Sequence, residues 1–136
     1  MMARTTRTVA AAVAAVMIGA AALATPAAAG SASFTYIPRD AKQTRALAST
    51  LELFGSFDGL KKGGIKQKGK NNAAGLAQKG TGNFGLVHQQ GNGHKGTLQQ
   101  NGNNNAYGLF QFGKKTKANV VQNGNGKAGA TFQWGW

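Results

Sequence analysis

The side chains whose type and spacing could do chemistry in this sequence are primary amides. A glutamine recurs every eleventh residue through the second half of the chain, as Gln67, Gln78, Gln89, Gln100, Gln111, Gln122 and Gln133. An amide carries both a hydrogen-bond donor and an acceptor, so it can bond an identical amide on a neighbouring strand. Such a column is the chemistry of assembly rather than of catalysis, because identical stacked strands template the next one.

The acids and histidines form neither a catalytic nor a metal-binding pattern. The only acidic residues, Asp40, Glu52 and Asp58, all precede the repeat. His88 and His94 are the only histidines and there is no cysteine, so a metal site would lack ligands. We expect both histidines to be solvated, His88 on an outward face and His94 in a turn. The sequence therefore predicts a protein that is not an enzyme and that uses no cofactor.

The amides are positioned by a repeating unit of strand and turn. A glycine follows each glutamine by two residues, and these glycines are predicted to form the turns: Gly69, Gly80, Gly91, Gly102, Gly113 and Gly124. Residues alternate in polarity before each glutamine, which predicts about seven strand residues and a turn of about four in every unit. The predicted strands span residues 62–68, 73–79, 84–90, 95–101, 106–112, 117–123 and 128–134.

Two packings of these units compete, an antiparallel meander and a solenoid whose successive strands alternate between two facing sheets. Identical residues gain most when they stack directly over one another in parallel register, which favours the solenoid. We therefore predict an all-β, two-sheet β-solenoid in which two units of 11 residues make one rung of 22. Sheet A would hold the strands that start at residues 62, 84, 106 and 128, and sheet B those that start at 73, 95 and 117.

The two sheets are expected to differ in their outward faces. Sheet B presents lysine, threonine and amide side chains, whereas sheet A presents an apolar face of Phe84, Leu86, Phe110, Phe112, Phe132 and Trp134. Exposed aromatic residues in such a contiguous patch indicate a partner. The partner is expected to be either the preceding helix or another filament.

That helix is predicted over residues 41–54. Asp40 is the expected N-cap, and Leu47, Leu51 and Phe54 recur on one helical face. Gly55 and Gly59 are expected to end the helix. The helix belongs to residues 30–61, which we predict to form a segment separate from the repeat domain at residues 62–136.

Residues 1–29 have the pattern of a secretory signal peptide. Arg4 and Arg7 supply the basic start, an alanine-rich apolar stretch follows, and small residues lead to an expected cleavage after Ala29. The apolar run before Pro26 is shorter than the roughly 20 residues that a spanning helix needs, which favours export over a membrane anchor.

The chain is strongly basic, with a formal charge of +13 and ten lysines but no acid from Lys62 onward. Single-sign charge keeps polar monomers soluble before assembly, and it also attracts anionic polymers such as lipopolysaccharide, acidic polysaccharide or extracellular DNA. The lysines are not interleaved with aromatic residues, so no specific nucleic-acid recognition is expected.

The spacing Gln67-x-Gly69-x-x-Asn72-x-Ala74-x-x-x-Gln78 resembles the repeat of the curlin family, the amyloid subunits of bacterial curli fibres. Asn83 and Asn105 match the asparagine of that repeat, whereas His94, Thr116 and Lys127 replace it in three other units. The matching asparagines, Asn72, Asn83 and Asn105, are expected to form a second amide ladder, broken at those three positions.

This resemblance covers about half of the chain. It implies a secreted monomer that leaves the cell through a dedicated outer-membrane pore. It also implies that the monomer polymerises, with the help of a nucleator subunit, into cross-β fibres for adhesion and biofilm matrix.

The residues themselves agree with assembly, because no proline follows Pro38 and both ends of the solenoid are expected to expose bare strand edges. The alternative function is a soluble secreted repeat protein that binds polyanions as a monomer.

Overall fold

The computed structural model describes residues 30–136, and the predicted signal peptide lies outside the described residues. The elements are β1 Ser31–Tyr36, α1 Ala41–Phe57, β2 Gly64–Lys68, β3 Ala73–Lys79, β4 Phe84–Asn92, β5 Lys95–Asn101, β6 Ala106–Lys114, β7 Lys117–Asn123 and β8 Ala128–Gly135. The strands of sheet B have the predicted bounds. Those of sheet A differ from the prediction by one or two residues at one end.

The repeat strands form a β-solenoid of about three turns. Sheet A has the order β1-β8-β6-β4-β2, and sheet B has the order β3-β5-β7. Each repeat strand pairs in parallel with the strand one rung away, so that Gln67 lies beside Gln89 and Gln78 beside Gln100. The solenoid prediction is therefore confirmed, and the meander is excluded by the parallel pairing.

One strand of sheet A was not predicted. β1 pairs antiparallel with β8, from Ser31 opposite Gly135 to Tyr36 opposite Ala130. β1 thus joins residues 30–61 to sheet A, and the prediction that both ends of the solenoid are bare is wrong at β8. The six residues of β1 carry no repeat spacing, and their pairing partner is nearly a hundred residues away, so local pattern could not place them.

Helix α1 begins where it was predicted, since the Asp40 side chain accepts a hydrogen bond of 2.7 Å from the backbone N–H of Gln43. The helix continues past Gly55 to Phe57, so the prediction that Gly55 ends it is wrong. Gly55 is a packing residue instead, because a Cβ there would lie 2.6 Å from the Leu60 carbonyl oxygen and 2.8 Å from the Phe84 ring. Gly59, which has a φ of +77°, follows the helix as expected.

The helix covers the apolar face of sheet A. Leu47 and Leu51 are buried in one cluster with four of the six predicted outer residues, Phe84, Leu86, Phe110 and Phe132, and the other two, Phe112 and Trp134, pack partly buried against it. The face is therefore apolar as predicted but covered by the helix of the same chain. Phe54 lies at the margin, with 45% of its surface exposed and its ring edge-on to Phe110.

Candidate functional site

The structure places the seven repeat glutamines in two columns inside the solenoid, one on each sheet. In sheet A the Nε2 of each glutamine donates to the Oε1 of the next, over 2.8, 2.7 and 2.9 Å from Gln67 through Gln89 and Gln111 to Gln133. In sheet B the same bonds measure 2.7 Å from Gln78 to Gln100 and 2.9 Å from Gln100 to Gln122. In all these bonds the earlier glutamine donates to the later one, so each column has a direction from its N-terminal to its C-terminal end.

Each buried glutamine also ties the two sheets together. The second N–H of Gln89 donates to the Ala73 carbonyl, that of Gln100 to the Phe84 carbonyl, and that of Gln111 to the Lys95 carbonyl, over 2.9 to 3.0 Å. The acceptor is always 16 residues earlier, at the first residue of the preceding strand. These carbonyls were missed by sequence reasoning, because a backbone acceptor leaves no mark on the sequence.

One sequence signal does accompany these cross-sheet bonds. Gly85 and Gly96 stand at the position that alanine occupies in the first unit, and each faces a glutamine of the other sheet. A Cβ at Gly85 would lie 2.9 Å from Gln100 Oε1, and one at Gly96 would lie 2.5 Å from Gln111 Oε1. Small residues at this position therefore leave room for the amide column.

The three asparagines act differently from the predicted ladder. Asn83 Nδ2 donates over 2.8 Å to the Gly102 carbonyl of the next rung, and its Oδ1 accepts the backbone N–H of Asn105 over 3.1 Å. Asn72 and Asn105 make the equivalent contacts. The prediction of stacked asparagine amides is therefore wrong, because each asparagine bonds the backbone of the next rung. Because the bond reaches a backbone N–H, it also forms where the residue of the next rung is His94 or Lys127 instead of asparagine.

His94 is fully buried, so the prediction that it is solvated is wrong. Its Nε2 donates to the Gln90 carbonyl over 3.1 Å, which leaves Nδ1 as an acceptor for the Thr116 backbone N–H at 3.3 Å and the Thr116 hydroxyl at 2.8 Å. Asn83 makes the matching pair of contacts, from Nδ2 to the Lys79 carbonyl and from Asn105 N–H to Oδ1. The ring nitrogens of His94 thus replace the amide of asparagine.

His88 lies on the helix side of sheet A. Its Nδ1 is 3.1 Å from Asp58 Oδ2, and only 16% of its side chain is exposed. Asp58 is the C-cap residue of α1, so this contact fixes the end of the helix to β4. The prediction of a solvated His88 is wrong because the helix covers this face.

The glycines that were predicted to form turns allow the rungs to stack closely. The prediction of a turn is wrong for Gly91 and Gly113, which lie in β4 and β6. Gly91 has a φ of +124°, and a Cβ there would lie 1.9 Å from the Gly113 carbonyl oxygen of the next rung. Gly69, Gly80, Gly102 and Gly113 have the same relation to the rung above them. Residues at these positions need both a positive φ and the absence of a side chain.

The ends of the glutamine columns are complementary. Within residues 30–136, the Oε1 atoms of Gln67 and Gln78 accept no hydrogen bond, and both residues are exposed. At the opposite ends, Gln133 and Gln122 each use one Nε2 hydrogen, bonding the Lys117 and Ala106 carbonyls. Each column therefore ends in a spare acceptor on one side and a spare donor on the other.

Three of the four column ends lie on open strand edges. Among the described strands, β1 and β2 of sheet A and β3 and β7 of sheet B each have a neighbour on one side only. Their unpaired backbone groups can receive another strand. The repeat strands are thus open at the N-terminal end on both sheets and at the C-terminal end on sheet B, whereas β1 covers the outer edge of β8 and leaves its own outer edge unpaired.

The described residues contain no group of three or more histidine, cysteine, aspartate or glutamate side chains that could hold a metal ion. No helix in the same part of the chain is long and apolar enough to cross a membrane.

The polar groups that the fold brings together are the amides of the solenoid interior and the lysines of sheet B. Lys95 and Lys117 are neighbours on its exposed outer face.

Comparisons of the chain with protein-family models, with curated proteins and with solved structures found no match. The resemblance to curlin repeats depends on the spacing of glutamine, glycine and asparagine alone.

Proposed function

We propose that this protein is a secreted structural subunit that self-assembles into curli-like extracellular amyloid fibres for adhesion and biofilm matrix. The observation that carries the proposal is the polarity of the two glutamine columns. Each column ends in an acceptor at an open strand edge on one side and a donor on the other. A second copy of the chain supplies the missing partner at either end of the column in sheet A.

Stacking two copies continues the column of sheet A without a change of register. The Gln67 of a second copy follows Gln133 one rung along. Because sheet A has four repeat strands and sheet B has three, the Gln78 of that copy lies two rungs from Gln122. The Gly69 of that copy lies over Gly135, which extends the column of glycines. Backbone and side-chain bonds of sheet A thus both repeat across the junction, as in a cross-β fibre.

The test uses the full chain, expressed with its N-terminal residues so that natural cleavage can occur. The protein is then purified in denaturant and diluted into buffer. We expect unbranched fibres in electron micrographs, with diffraction at about 4.8 Å along the fibre and about 10 Å across it. A protein that stays monomeric under these conditions contradicts the proposal.

A matched pair of variants tests the columns themselves. Replacing Gln67 and Gln78 together with leucine removes both spare acceptors at the exposed end and leaves the buried bonds among the inner glutamines in place. Gln99→Leu is the control, since Gln99 is exposed on the outer face of sheet B. We expect the double variant to lose assembly and the control to keep it. Equal assembly of the two would show that the columns do not join subunits.

The proposal also includes export and assembly partners. The signal-peptide pattern of residues 1–29 and the curlin-like spacing support passage out of the cell, through a dedicated pore, and nucleation by a second subunit. No catalytic group is needed for this role. Immunogold labelling of intact producing cells should show the protein on surface fibres.

A second candidate function is polyanion binding by the monomer. The exposed Lys95 and Lys117 share one column of sheet B, and the ten lysines of the repeat region have no acidic partner within it. A soluble monomer whose affinity for a polyanion falls as salt rises would favour this function.

A further inference from the structure

We propose that β1 is a displaceable cap, which occupies the edge of β8 that the β2 strand of a second copy must take when subunits join. This inference rests on the proposed function, since it concerns how the fibre interface becomes available.

The competition follows from the strand order. β6 occupies one edge of β8, and β1 occupies the other. A second copy that continues the solenoid needs that same outer edge, with its Gln67 beside Gln133, where Ser33 of β1 now lies. One edge cannot pair with two strands, so β1 has to leave before the parallel repeat strands of sheet A and their glutamine column can continue.

β1 is packed more loosely than the central strands of sheet A. None of its six residues is buried, whereas six of the nine residues of β6 are. Segments with few buried apolar contacts open at low free-energy cost. An incoming β2 restores the backbone pairing of β8, so the exchange leaves no strand edge unpaired there.

Specific polar contacts hold the cap in its docked position. Gly30 and Trp136 exchange two backbone hydrogen bonds of 3.0 and 2.9 Å, and the hydroxyls of Thr35 and Thr131 are 3.0 Å apart. The Tyr107 hydroxyl also bonds Thr131. Burial raises the pKa of Tyr107, so the phenol stays protonated to a higher pH than an exposed tyrosine and the chain of hydroxyls from β6 to β1 persists.

A disulfide lock tests the exchange. Thr35 and Thr131 lie directly opposite each other, their side chains touch, and the chain contains no cysteine of its own. In the Thr35→Cys, Thr131→Cys variant of the full chain, oxidation should hold β1 on β8 and reduction should release it. The Thr35→Ser, Thr131→Ser variant keeps both hydroxyls and serves as the control.

The measurement is elongation from wild-type fibre seeds, followed by an amyloid dye. We expect the reduced variant and the serine control to elongate, and the oxidised variant to stop growth after adding to a seed. Small amounts of the oxidised variant should also slow wild-type elongation, because its own β8 edge stays closed once it has joined a fibre end.

A proline pair tests the opposite direction. The bonds between Gly30 and Trp136 set the alternation of the antiparallel ladder, which makes Ala32 a donor to β8 and turns the N–H of Ser33 away. Ala32→Pro should loosen the cap and Ser33→Pro should not. We expect Ala32→Pro to raise the elongation rate by about 10- to 1,000-fold, the inverse of the population typical of a minor open state.

The outcomes separate the two proposals. If the oxidised lock elongates as fast as its reduced form, β1 is not displaced and the cap is refuted, while fibre assembly stands. If the wild type, the serine control and Ala32→Pro all remain monomeric, the proposed function fails and the cap fails with it.

Discussion

The stability of the solenoid should depend strongly on Gln111, at the centre of the sheet A column. Gln111 is fully buried, accepts from Gln89 over 2.7 Å, and donates over 2.9 Å to Gln133 and over 3.0 Å to the Lys95 carbonyl. Gln111→Leu keeps a side chain of similar size and removes all three bonds. The hydrogen of Gln89 then lacks a partner inside the protein, whereas the Lys95 carbonyl keeps its backbone pairing with β7 and the half-buried Gln133 can bond water.

An unpartnered buried polar group costs about 1–3 kcal/mol, so we expect a loss of about 1–3 kcal/mol in the free energy of unfolding. The assay is urea unfolding of freshly diluted monomer, followed by circular dichroism, with the denaturant slope compared between variants. Gln99→Leu is the matched control, because Gln99 is exposed, and it should change stability by no more than about 0.5 kcal/mol. Equal stability of the two variants at an unchanged slope would refute the argument that the buried column holds the sheets together.

Two further pairs of substitutions test the glycine column and the histidine. Gly91→Ala should lower the free energy of unfolding by about 3 kcal/mol or more, because it combines a positive φ with a clash against the next rung. Gly75→Ala is its control in the same thermal melts and should be tolerated, since its Cβ would lie 3.6 Å from the nearest atom. The free energy of unfolding of His94→Asn should stay within about 0.5 kcal/mol of the wild type, since an amide can make the same contacts. That of His94→Leu should fall by about 2–4 kcal/mol. A leucine variant as stable as the asparagine variant would show that the hydrogen bonds of the ring nitrogens do not stabilise the fold.

The burial of His94 shows why the local sequence pattern gave the wrong prediction for the histidines. Both lie within the repeat and look like polar interruptions of it. Whether a polar side chain meets water or another rung depends on what lies one rung, or 22 residues, away. His94 occupies an asparagine position, and its partner Thr116 stands at the equivalent position of the next rung.

The repeat spacing was sufficient to predict the strands, the parallel register, the 22-residue rung and the columns of glutamine. Each of these follows from one rule, that identical residues at a fixed period stack when the strands are parallel. The N-cap of the helix and its apolar face were likewise local, because Asp40 and Leu51 act through neighbours a few residues away in the chain.

Contacts between distant segments could be decided only by the tertiary structure. The docking of β1 on β8 and the cover that α1 gives to sheet A join residues that share no period. A periodic sequence encodes its own stacking because each unit meets a copy of itself. The segments outside the repeat, β1 and α1, instead pack where the stacked units leave an edge or a face uncovered. β1 pairs with the edge of β8, and α1 covers the apolar face of sheet A.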